Sequence, residues 1–314
     1  MLNKKIFQGH SKTRRQMSMP DPTSAYLAQK KKIVDRALEA FLEKSPETPA
    51  ELSRAMRYSA LAGGKRLRPI LCMAAAEAVG GNQKDVLPTA CALELIHTHS
   101  LIYDDLPCMD DDDFRRGKLT CHKKFGESAA ILAGDAMLVK AFELVSLGSA
   151  KISDKARLAI VYELSRAIGD SGLCAGQMID LQVEGKNISP KTLQYIHEHK
   201  TAKLFTASVR CGALLGNATE KQLQNLTRYG EYTGLAFQIV DDILDVTGNE
   251  KKLGKKSRQD EKKGKNTYPK LYGIEASKKK ANELKNKAVT ALRPFGKKAE
   301  PLRGIAEFFV QRDY

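Results

Sequence analysis

The sequence predicts an all-α fold with a single domain. Apolar residues recur at helical spacing along most of the 314-residue chain, whereas the alternation typical of strands is almost absent. Helix start signals recur, as where Thr48 precedes Pro49 and Glu51 as an N-cap, a first-turn proline and a capping-box acid. No change of composition marks a domain boundary, and 42% apolar residues are enough for one large core.

Start signals and breakers together define about ten helices. Ser189 before a proline opens one of them, and the capping box of Thr219 with Gln222 opens another. The helical segments lie near residues 24–44, 49–62, 69–80, 85–104, 124–148, 153–169, 172–183, 190–216, 220–245, 272–293 and 298–312. Some neighbouring segments can be fused into one helix. Residues 129–139 and 207–216 are apolar or small on all sides, which predicts helices buried on every face.

The formal net charge of +15 favours an anionic partner, which leaves nucleic acid, a membrane surface and small phosphate esters as classes. Nucleic-acid binding is disfavoured, because aromatic residues make up 6% of the chain, tryptophan is absent and no groove-reading motif occurs. Residues 251–270 hold nine Lys or Arg against two acids, and the first twenty residues hold five against none. We interpret residues 1–22 as a basic, disordered tail before one all-α domain at 23–314.

Hydropathy and cysteine usage predict a soluble, cytoplasmic protein. No apolar run approaches the roughly 18 residues of a membrane span. The six cysteines form no CxxC pair, and most lie among small apolar residues, which is typical of reduced core thiols rather than of disulfides or a zinc site. The basic first segment lacks the apolar core of a secretory signal, although a weak organelle-targeting peptide remains an alternative to a plain tail.

The second aspartate cluster, Asp241, Asp242 and Asp245, lies in an otherwise apolar helical segment. Asp241 and Asp245 are four positions apart, so they stand one above the other on one helix face. Two carboxylates on a largely apolar helix repel each other and are costly to bury unless a cation lies between them. The segment therefore favours a metal site, with solvent-directed aspartates as the alternative.

The first aspartate cluster is Asp104, Asp105 and Asp110. Asp104 and Asp110 are six positions apart, which does not put them on one face of a regular helix. Pro107 removes a helical donor and clashes with the preceding turn, so the helix should end or bulge near Asp104 and a loop should bring Asp110 back beside it. Hard oxygen ligands of this kind suit Mg²⁺, and an acidic, solvated loop is the alternative.

Basic residues accompany the first cluster. Arg115-Arg116 follow it, and the arginine fork can bind phosphate oxygens in a bidentate manner, with charge balance against the nearby aspartates as the alternative. The segment GGKRLRP at 63–69 joins two glycines, which allow close backbone approach, to a helix N-terminus that favours an anion. Two carboxylate clusters 137 positions apart, each with basic groups, indicate a site for Mg²⁺ and a diphosphate ester.

In these motifs the chain resembles the short-chain trans-isoprenyl diphosphate synthases, the farnesyl and geranylgeranyl diphosphate synthases of bacterial and plant type. The resemblance runs from about residue 25 to the C-terminus, and its motifs are long and correctly ordered. They are GGKRLRP at 63–69, DDLPCMD…RRG at 104–117, Lys200-Thr201, FQIVDDILD at 237–245 and KNTYP at 265–269. The family implies the isoprenoid synthase fold, a bundle of about ten or more helices around a central cavity.

The resemblance implies a prenyltransferase that joins isopentenyl diphosphate head-to-tail to an allylic diphosphate, dimethylallyl or geranyl. The family binds the allylic diphosphate through about three Mg²⁺ ions on two aspartate motifs, which correspond here to the two aspartate clusters. The metals neutralise the leaving diphosphate, the allylic carbon–oxygen bond ionises, isopentenyl diphosphate attacks and a proton is lost. The family also implies a homodimer.

Further site residues follow from the same resemblance. The expected ligands of isopentenyl diphosphate are Lys65, Arg68, His97 and Arg116. The expected ligands of the allylic diphosphate are Arg115, Lys200, Thr201, Gln238, Lys255 and Lys265, of which Lys200, Thr201 and Gln238 are also the catalytic groups near the allylic cation. The segment after Lys255 departs from the family, because Arg258 stands where glycine is usual in a loop that closes over the diphosphate.

Product length is expected to depend on His99 and Ser100, which lie about one turn before Asp104 and would form the floor of the product cavity. The family carries tyrosine at the His99 position in bacterial farnesyl-type members and methionine in plant geranylgeranyl-type members. Histidine fits neither pattern. Its bulk favours farnesyl diphosphate, with geranylgeranyl diphosphate as the alternative.

Two other classes of the same fold are less consistent with the motifs. Non-catalytic subunits typically lose one aspartate motif, whereas this chain keeps both. Head-to-head condensing enzymes of the squalene or phytoene synthase kind are not expected to carry GGKRLRP or an RRG after an extended DDLPCMD run. The sequence therefore predicts a catalytic, farnesyl-type synthase.

Overall fold

The computed structural model describes residues 21–247 and 264–312, and in these ranges the protein is a bundle of α-helices. The helices are α1 (Pro22–Phe41), α2 (Ala50–Ala60), α3 (Leu67–Val79), α4 (Gln83–Asp104), α5 (Cys121–Phe125), α6 (Glu127–Ser146), α7 (Asp154–Ile168), α8 (Leu173–Gln182), α9 (Pro190–Ile196), α10 (Lys203–Leu215), α11 (Glu220–Thr247), α12 (Tyr268–Tyr272), α13 (Ile274–Ala291) and α14 (Glu300–Gln311). A π-helical segment, His197–Ala202, joins α9 to α10, and a 3₁₀ segment, Arg293–Ala299, joins α13 to α14. The predicted all-α class is confirmed.

One short hairpin interrupts the helices in the described ranges. β1 (Phe114–Arg115) pairs antiparallel with β2 (Lys118–Leu119). Arg116, with a φ of 53°, and Gly117, with a φ of 74°, form the turn between them. Positive φ at both central residues suits a two-residue hairpin, because it matches the twist of the strands. Strands this short carry no alternation, so sequence periodicity could not predict them.

The centre of the bundle is formed by α3, α4 and α10. Nearly all of α3 is buried, packed between α4 and α10. The crossing of α3 and α10 is close because Gly212 has no side chain: a Cβ there would lie 1.9 Å from the carbonyl oxygen of Cys72. Around this centre, α4 packs on α6, and α11 packs on α10 and α13. The helices that carry the two aspartate clusters, α4 and α11, are therefore both anchored on the core.

Local start signals are confirmed at two of three helices. Ser189 Oγ accepts the expected backbone hydrogen bond over 3.1 Å. Thr219 and Gln222 form the expected reciprocal capping box over 2.8 and 3.3 Å. The cap predicted at Thr48 is wrong, because Pro49 immediately precedes α2 and no side chain caps that helix.

Some predicted segments are divided or displaced. Gly126, with a φ of 86°, separates α5 from α6 inside the segment predicted as one helix at 124–148. The segment predicted at 190–216 is helical throughout, but its middle is π-helical. Helix α12 was not predicted, because five residues are too few to show a period. α1 starts at Pro22, one residue before the predicted domain, and residues 1–20 lie outside the described ranges.

Burial agrees with the sequence at 207–216 and differs at 129–139. The first range is largely buried, as predicted. In the second, Leu132 is 59% exposed and Val139 is 68% exposed. Helix α7 contacts α6 and adds further exposed apolar side chains, namely Leu158 and Tyr162. An apolar helix surface is thus left open by the part of the chain that the structure describes.

The cysteines are free thiols, as predicted. Four are buried, whereas two are exposed, which corrects the expectation of core thiols at Cys108 and Cys174. The buried ones are Cys72, Cys91, Cys121 and Cys211. None of the helices in the described ranges is long and apolar enough to cross a membrane.

Candidate active site

The first aspartate cluster lies where α4 ends. Asp104 is the last residue of that helix, and the Asp110 N–H donates to the Asp104 carbonyl over 2.9 Å after the chain has turned through Pro107. Asp111, with a φ of 48°, follows the reversal. The predicted return of Asp110 to Asp104 is confirmed.

Asp105 and Arg115 form an ion pair within this cluster, in which the carboxylate is buried and the guanidinium side chain is 32% exposed. Asp105 is 3% exposed, and Arg115 Nε lies 2.8 and 3.0 Å from its two carboxylate oxygens. Burial raises the pKa of Asp105 to about 6, although Arg115 opposes this shift. Arg115 also lies 3.4 Å from Asp112, so one guanidinium ties both ends of the acidic loop together.

Asp104 faces α8 and the π-helical segment. Gln177 donates its side-chain amide to Asp104 Oδ1 over 2.8 Å, and Lys200 Nζ lies 3.7 Å from the same oxygen. Lys200 Nζ also donates to Asp180 over 2.7 Å. Burial lowers the pKa of Lys200, but the Asp104 and Asp180 carboxylates outweigh burial and raise it above its ordinary value. Lys200 is therefore a charged group directed at the first cluster.

Lys265 joins the first cluster to a distant part of the chain. Its Nζ donates to Asp110 Oδ2 over 2.7 Å, and both side chains are largely buried. Burial and the nearby Lys200 lower the pKa of Lys265, but Asp110 more than offsets them. Asn266 anchors the same segment by donating its amide to the Val183 carbonyl over 3.2 Å. The lysine of the KNTYP motif thus lies beside the first aspartate motif.

Asp242 is the buried centre of the second aspartate cluster. Its carboxylate accepts hydrogen bonds from Gln238 Nε2 and from the Tyr268 N–H, each over 2.8 Å, and lies 3.3 Å from His197 Nε2. Gln238 in turn accepts from Thr201 Oγ1 over 2.7 Å. Asp242 therefore connects α11, the π-helical segment and the KNTYP segment.

Asp241 and Asp245 lie one turn apart on α11 but differ in exposure. The Asp241 side chain is 48% exposed and lies 3.4 Å from Arg312 Nη2, whereas Asp245 is 3% exposed. Arg312 also stacks on Phe237, with its Cζ 3.8 Å from the ring centroid. Because α11 is continuous from Glu220 to Thr247, the predicted i,i+4 arrangement is confirmed. Asp241 is its accessible member.

Two glycines allow the π-helical segment to lie against its neighbours. A Cβ at Gly176 on α8 would lie 2.2 Å from the backbone nitrogen of Lys200. A Cβ at Gly234 on α11 would lie 2.8 Å from the Cα of Ala202. π-Helical turns are rare and frequently occur at functional sites. Here the turn carries Lys200 and Thr201. Because Gly176 and Gly234 have no side chains, α8 and α11 can pack against the turn from two sides.

The basic wall is defined as Arg116 together with segment 63–69 and His97. Arg116 donates to the Gly63 carbonyl, and a Cβ at Gly64 would lie 2.7 Å from its guanidinium carbon. Arg68 stacks on a phenylalanine of α10, with its Cζ 4.6 Å from the ring centroid. Gly64 thus gives room to Arg116, whose guanidinium lies where a Cβ would otherwise be.

His97 is a neutral group among these cations. Burial lowers the pKa of His97 well below its ordinary value, and the charges of Arg68 and Arg116 lower it further. Burial also lowers the pKa of Arg68 to about 10, which leaves this arginine charged at neutral pH. Partly desolvated guanidinium groups beside a neutral imidazole favour an anionic ligand over any other, because only an anion relieves their mutual repulsion.

Comparison with known proteins identifies the family. A model of the polyprenyl synthetase family matches residues 49–296, which include both aspartate clusters and the basic wall. The chain belongs to this polyprenyl synthetase family. The resemblance in its motifs is thereby confirmed.

Individual relatives agree with this assignment. The chloroplastic geranylgeranyl pyrophosphate synthase of Capsicum annuum is 48% identical over 291 residues, which are 92% of this chain and 78% of the relative. A solved FPP/GFPP synthase from Zymomonas mobilis gives a TM-score of 0.81 at 36% identity, covering 92% of this chain and 98% of that one. A geranyltransferase from Helicobacter pylori, complexed with magnesium and isoprenyl diphosphate, gives a TM-score of 0.80 at 31% identity, covering 93% of this chain and 97% of that one. This polyprenyl synthetase therefore has the isoprenoid synthase fold and is a prenyltransferase.

His99 and Ser100, the two residues expected to form the floor of the product cavity, lie on different sides of α4. The ring centroid of His99 is 4.5 Å from that of Tyr103, and its Nδ1 would lie 3.4 Å from a Cβ at Gly134 of α6. Ser100 lies one turn before Asp104 on the same helix face. His99 thus packs on α6, and Ser100 is a small side chain one turn before Asp104.

The carboxylate oxygens of the two aspartate clusters suit Mg²⁺, which prefers hard oxygen ligands. Among the described residues, no three His, Cys, Asp or Glu side chains converge as a ready metal site. The carboxylates of the first cluster are instead each near a cation, in the pairs Asp104–Lys200, Asp105–Arg115 and Asp110–Lys265. Such a set suits an ion that takes one or two carboxylates and completes its shell with substrate phosphate and water.

Sequence reasoning missed several groups that this polyprenyl synthetase brings to the site. Gln177 and Asp180 are polar residues three apart on the otherwise mostly apolar α8, and that contrast was the signal available for them. Tyr268 stands in the KNTYP motif but had no predicted role, and His197 gave no signal, because the contacts of both residues with Asp242 depend on the fold. Arg66, Glu94 and Arg312 were also missed. Lys255 and Arg258 lie outside the described residues, so their roles stay predictions.

Proposed function

We propose that the protein condenses isopentenyl diphosphate head-to-tail with an allylic diphosphate, dimethylallyl or geranyl diphosphate, and releases a longer trans-prenyl diphosphate. One observation carries this proposal: Lys265 bonds to Asp110, and the nearby Tyr268 N–H bonds to Asp242. A single short segment thus holds both aspartate clusters at one site. A diphosphate between the clusters would meet carboxylates that can share a metal with it and lysines that can donate to it.

Mg²⁺ is the cofactor we propose, in about three ions, with the carboxylates of Asp104, Asp105, Asp110, Asp241, Asp242 and Asp245 as its protein ligands. Asp241, half-exposed, and Asp104, 20% exposed, are the most accessible candidates for direct contact, and Asp110 would become available if Lys265 turned to the diphosphate. Asp105 and Asp242 already accept several hydrogen bonds each, which favours a supporting role. Bound metal would supply positive charge to the leaving diphosphate.

The cations near the first cluster would exchange partners when the allylic diphosphate binds. Lys200, Lys265 and Arg115 would each donate N–H groups to diphosphate oxygens in place of a carboxylate, and we expect the same of Lys255. The exchange would keep each cation paired and stabilise the negative charge that develops as the carbon–oxygen bond ionises. Donors fixed before the reaction need little reorganisation, which is the main source of such stabilisation.

Thr201 and Gln238 are the groups we propose near the allylic cation. They are hydrogen-bonded to each other over 2.7 Å, and Gln238 is held in turn by Asp242. Fixed side-chain oxygens and main-chain carbonyls of the π-helical segment would present partial negative charge to the cation. Thr201 and Gln238 would act through the fixed position of their oxygens, since neither side chain needs to accept a proton.

Isopentenyl diphosphate would bind at the basic wall, through Lys65, Arg68, His97 and Arg116. His97 and Asp104 are seven positions apart on one face of α4, which is roughly 10 Å along the helix. This spacing leaves room for a five-carbon unit between the two diphosphates. Neutral His97 would donate one hydrogen bond without adding charge, while the guanidinium groups bind the phosphate oxygens.

We propose geranylgeranyl diphosphate as the main product, in place of the farnesyl diphosphate that the sequence favoured. The small Ser100 beneath Asp104 and the packing of His99 on α6 support a deep cavity. The name of the Capsicum annuum relative agrees with this product. Farnesyl diphosphate is the second candidate, because His99 and Tyr103 are bulky and the Zymomonas mobilis structure is an FPP/GFPP synthase.

Chromatography of the products from isopentenyl diphosphate with dimethylallyl, geranyl and farnesyl diphosphates, with and without Mg²⁺, tests the proposal. We expect Mg²⁺-dependent formation of a twenty-carbon product from all three primers. Accumulation of a fifteen-carbon product, with farnesyl diphosphate left unextended, would favour the second candidate. A folded protein without any condensing activity would refute the reaction and favour a non-catalytic subunit.

Substitution of the aspartates tests the metal assignment. Asp104→Ala and Asp241→Ala should each lower turnover by at least about a hundredfold at an unchanged melting temperature. Asp113→Ala is the control, because Asp113 lies on the same acidic loop but is 61% exposed and pairs with Lys123. Near-normal activity of either cluster variant would contradict the assignment.

We also propose a cytoplasmic homodimer. The exposed apolar side chains on α6 and α7 support a second copy of this chain as their cover, because exposed patches of this kind mark interfaces. Sedimentation should give a dimer for the wild type and a monomer for the double variant Leu132→Glu, Val139→Glu. A wild-type monomer would refute the dimer, and a fluorescent fusion would test the location.

A further inference from the structure

Arg66 lies in the middle of segment 63–69, but its guanidinium is turned into the core. Its side chain is 1% exposed, and all three nitrogens donate within the protein. Nε donates to Asp35 Oδ1, Nη1 to Glu94 Oε1 and Nη2 to the Ala60 carbonyl, each over 2.8 Å. A guanidinium engaged in this way is not available to a diphosphate, so Arg66 is not a substrate ligand.

The backbone at Arg66 is as constrained as the side chain. With a φ of 52° and a ψ of 35°, Arg66 is a left-handed residue immediately before α3. Residues other than glycine rarely adopt this conformation unless their surroundings fix it. Lys65 precedes this turn and Arg68 follows it, so both expected ligands take their directions from a turn that the Arg66 contacts hold in place.

Glu94 connects that turn to α4. It is 2% exposed and lies three residues before His97, about one helical turn away. A single buried carboxylate therefore fixes segment 63–69 relative to the helix that carries His97. Asp35 adds α1 from the other side. The Glu94 charge also counteracts burial, which lowers the pKa values of Arg68 and Arg116.

We propose that Arg66 is a positioning residue: its buried ion pairs fix the geometry of the basic wall and so set the affinity for isopentenyl diphosphate, which Arg66 does not touch. The inference rests on the proposed function, which assigns isopentenyl diphosphate to this wall. The allylic side takes groups from α8, α11 and the π-helical segment, none of which bonds to Arg66, and it shares α4 with the wall, where Glu94 lies ten positions, about 15 Å, before Asp104. Loss of the Arg66 contacts should therefore weaken one substrate and spare the other.

Steady-state kinetics of Arg66→Lys, with each substrate varied in turn, test the inference. Lysine keeps the charge, but its single nitrogen cannot reach the three separate acceptors that the planar guanidinium spans. We expect the KM for isopentenyl diphosphate to rise about tenfold, while kcat and the allylic KM change less than about twofold. The control is Arg210→Lys, which breaks a comparable guanidinium–carboxylate pair with Glu163 outside the basic wall and should leave both KM values unchanged.

Two further variants decide the question if Arg66→Lys does not fold. Glu94→Gln should give the same selective rise in KM. Asp35→Asn should give a smaller rise, because the Asp35 side chain is 32% exposed and its contact is more screened by water. A structural role would instead lower the melting temperature and change both KM values alike, and that outcome would overturn the inference.

The activity of the wild-type protein distinguishes a failure of the proposed function from a failure of the positioning role of Arg66. If it does not use isopentenyl diphosphate, the proposed function and this inference both fail. If it is active and the variants show no selectivity between substrates, only the positioning role fails.

Discussion

Lys265 Nζ lies 2.7 Å from Asp110 Oδ2, although 155 positions separate the two residues in the sequence. The contact joins the loop after α4 to the segment before α12. In the same segment, the Tyr268 N–H bonds to Asp242 of the second aspartate cluster. The two clusters are therefore held at one site by the KNTYP segment as well as by the packing of the helices that carry them.

Lys265→Met should lower kcat by about a hundredfold, because it removes a donor to the leaving diphosphate. The measurement is steady-state turnover at saturating Mg²⁺ and substrates. Lys278→Met is the matched control, since Lys278 is a half-exposed lysine of α13 that pairs only with Glu275 among the contacts described. Equal losses in both variants would point to a general effect of charge and contradict a specific role for Lys265.

Gly176→Ala should displace the π-helical segment, because a Cβ would lie 2.2 Å from the Lys200 nitrogen. A shift of about 1 Å at catalytic groups costs up to about a hundredfold in rate, so we expect a fall in kcat of roughly tenfold to a hundredfold. Turnover and circular dichroism check this result.

Gly148→Ala is the control for that substitution. A Cβ there would have its nearest contact at 3.4 Å, which is ordinary packing, and Gly148 lies at the end of α6 away from the site. Its activity should stay within about twofold of the wild type. Full activity of Gly176→Ala would mean that the close approach has no functional importance.

His97→Gln tests the neutral state of His97. Because burial and the surrounding arginines lower the pKa of His97, the folded protein binds a proton there less readily than the unfolded chain. Below about pH 6.5, the free energy of unfolding of the wild type should therefore fall by up to about 1.4 kcal/mol per pH unit, and glutamine removes this contribution.

Chemical denaturation of both proteins between about pH 7.5 and about pH 5 measures the effect of that substitution. The stability of the variant relative to the wild type should increase as the pH falls. A difference that stays constant over the range would contradict the shifted pKa.

Ser100→Phe should shorten the product, because a bulky ring would then lie beneath Asp104 on the same face of α4. We expect fifteen-carbon or shorter products at a similar total rate, measured by chromatography. His99→Ala is the matched variant on the α6 side. If His99 also limits the chain, its removal should lengthen the product, and an unchanged distribution would leave Ser100 as the relevant position.

The parts of the fold that depend on nearby residues could be predicted from the sequence. The caps at Ser189 and Thr219 are formed within a single turn, and the end of α4 follows from Pro107. The aspartate clusters were recognisable because repeated carboxylates in apolar surroundings require a partner. These features need no knowledge of where the chain goes next.

The remaining site depends on contacts between distant segments. The π-helical segment can pack closely between two other helices because Gly176 and Gly234 leave space for it. Arg66 looked like one more basic residue of a phosphate-binding motif, and only its burial against Glu94 separates it from Lys65 and Arg68. Charge and spacing identify candidate ligands, but the direction of a side chain is decided by what packs around it.

Arg115 and Arg116 are consecutive residues with unrelated partners. Arg115 holds Asp105 in the first aspartate cluster, and Arg116 holds the Gly63 carbonyl in the basic wall. One peptide unit thus joins the proposed allylic site to the proposed isopentenyl site. Any coupling through this unit would be reciprocal, so that each substrate would change the affinity for the other by the same factor. Where that factor favours binding, the hairpin would promote occupancy of both sites together, and a nucleophile would already be present when the allylic cation forms.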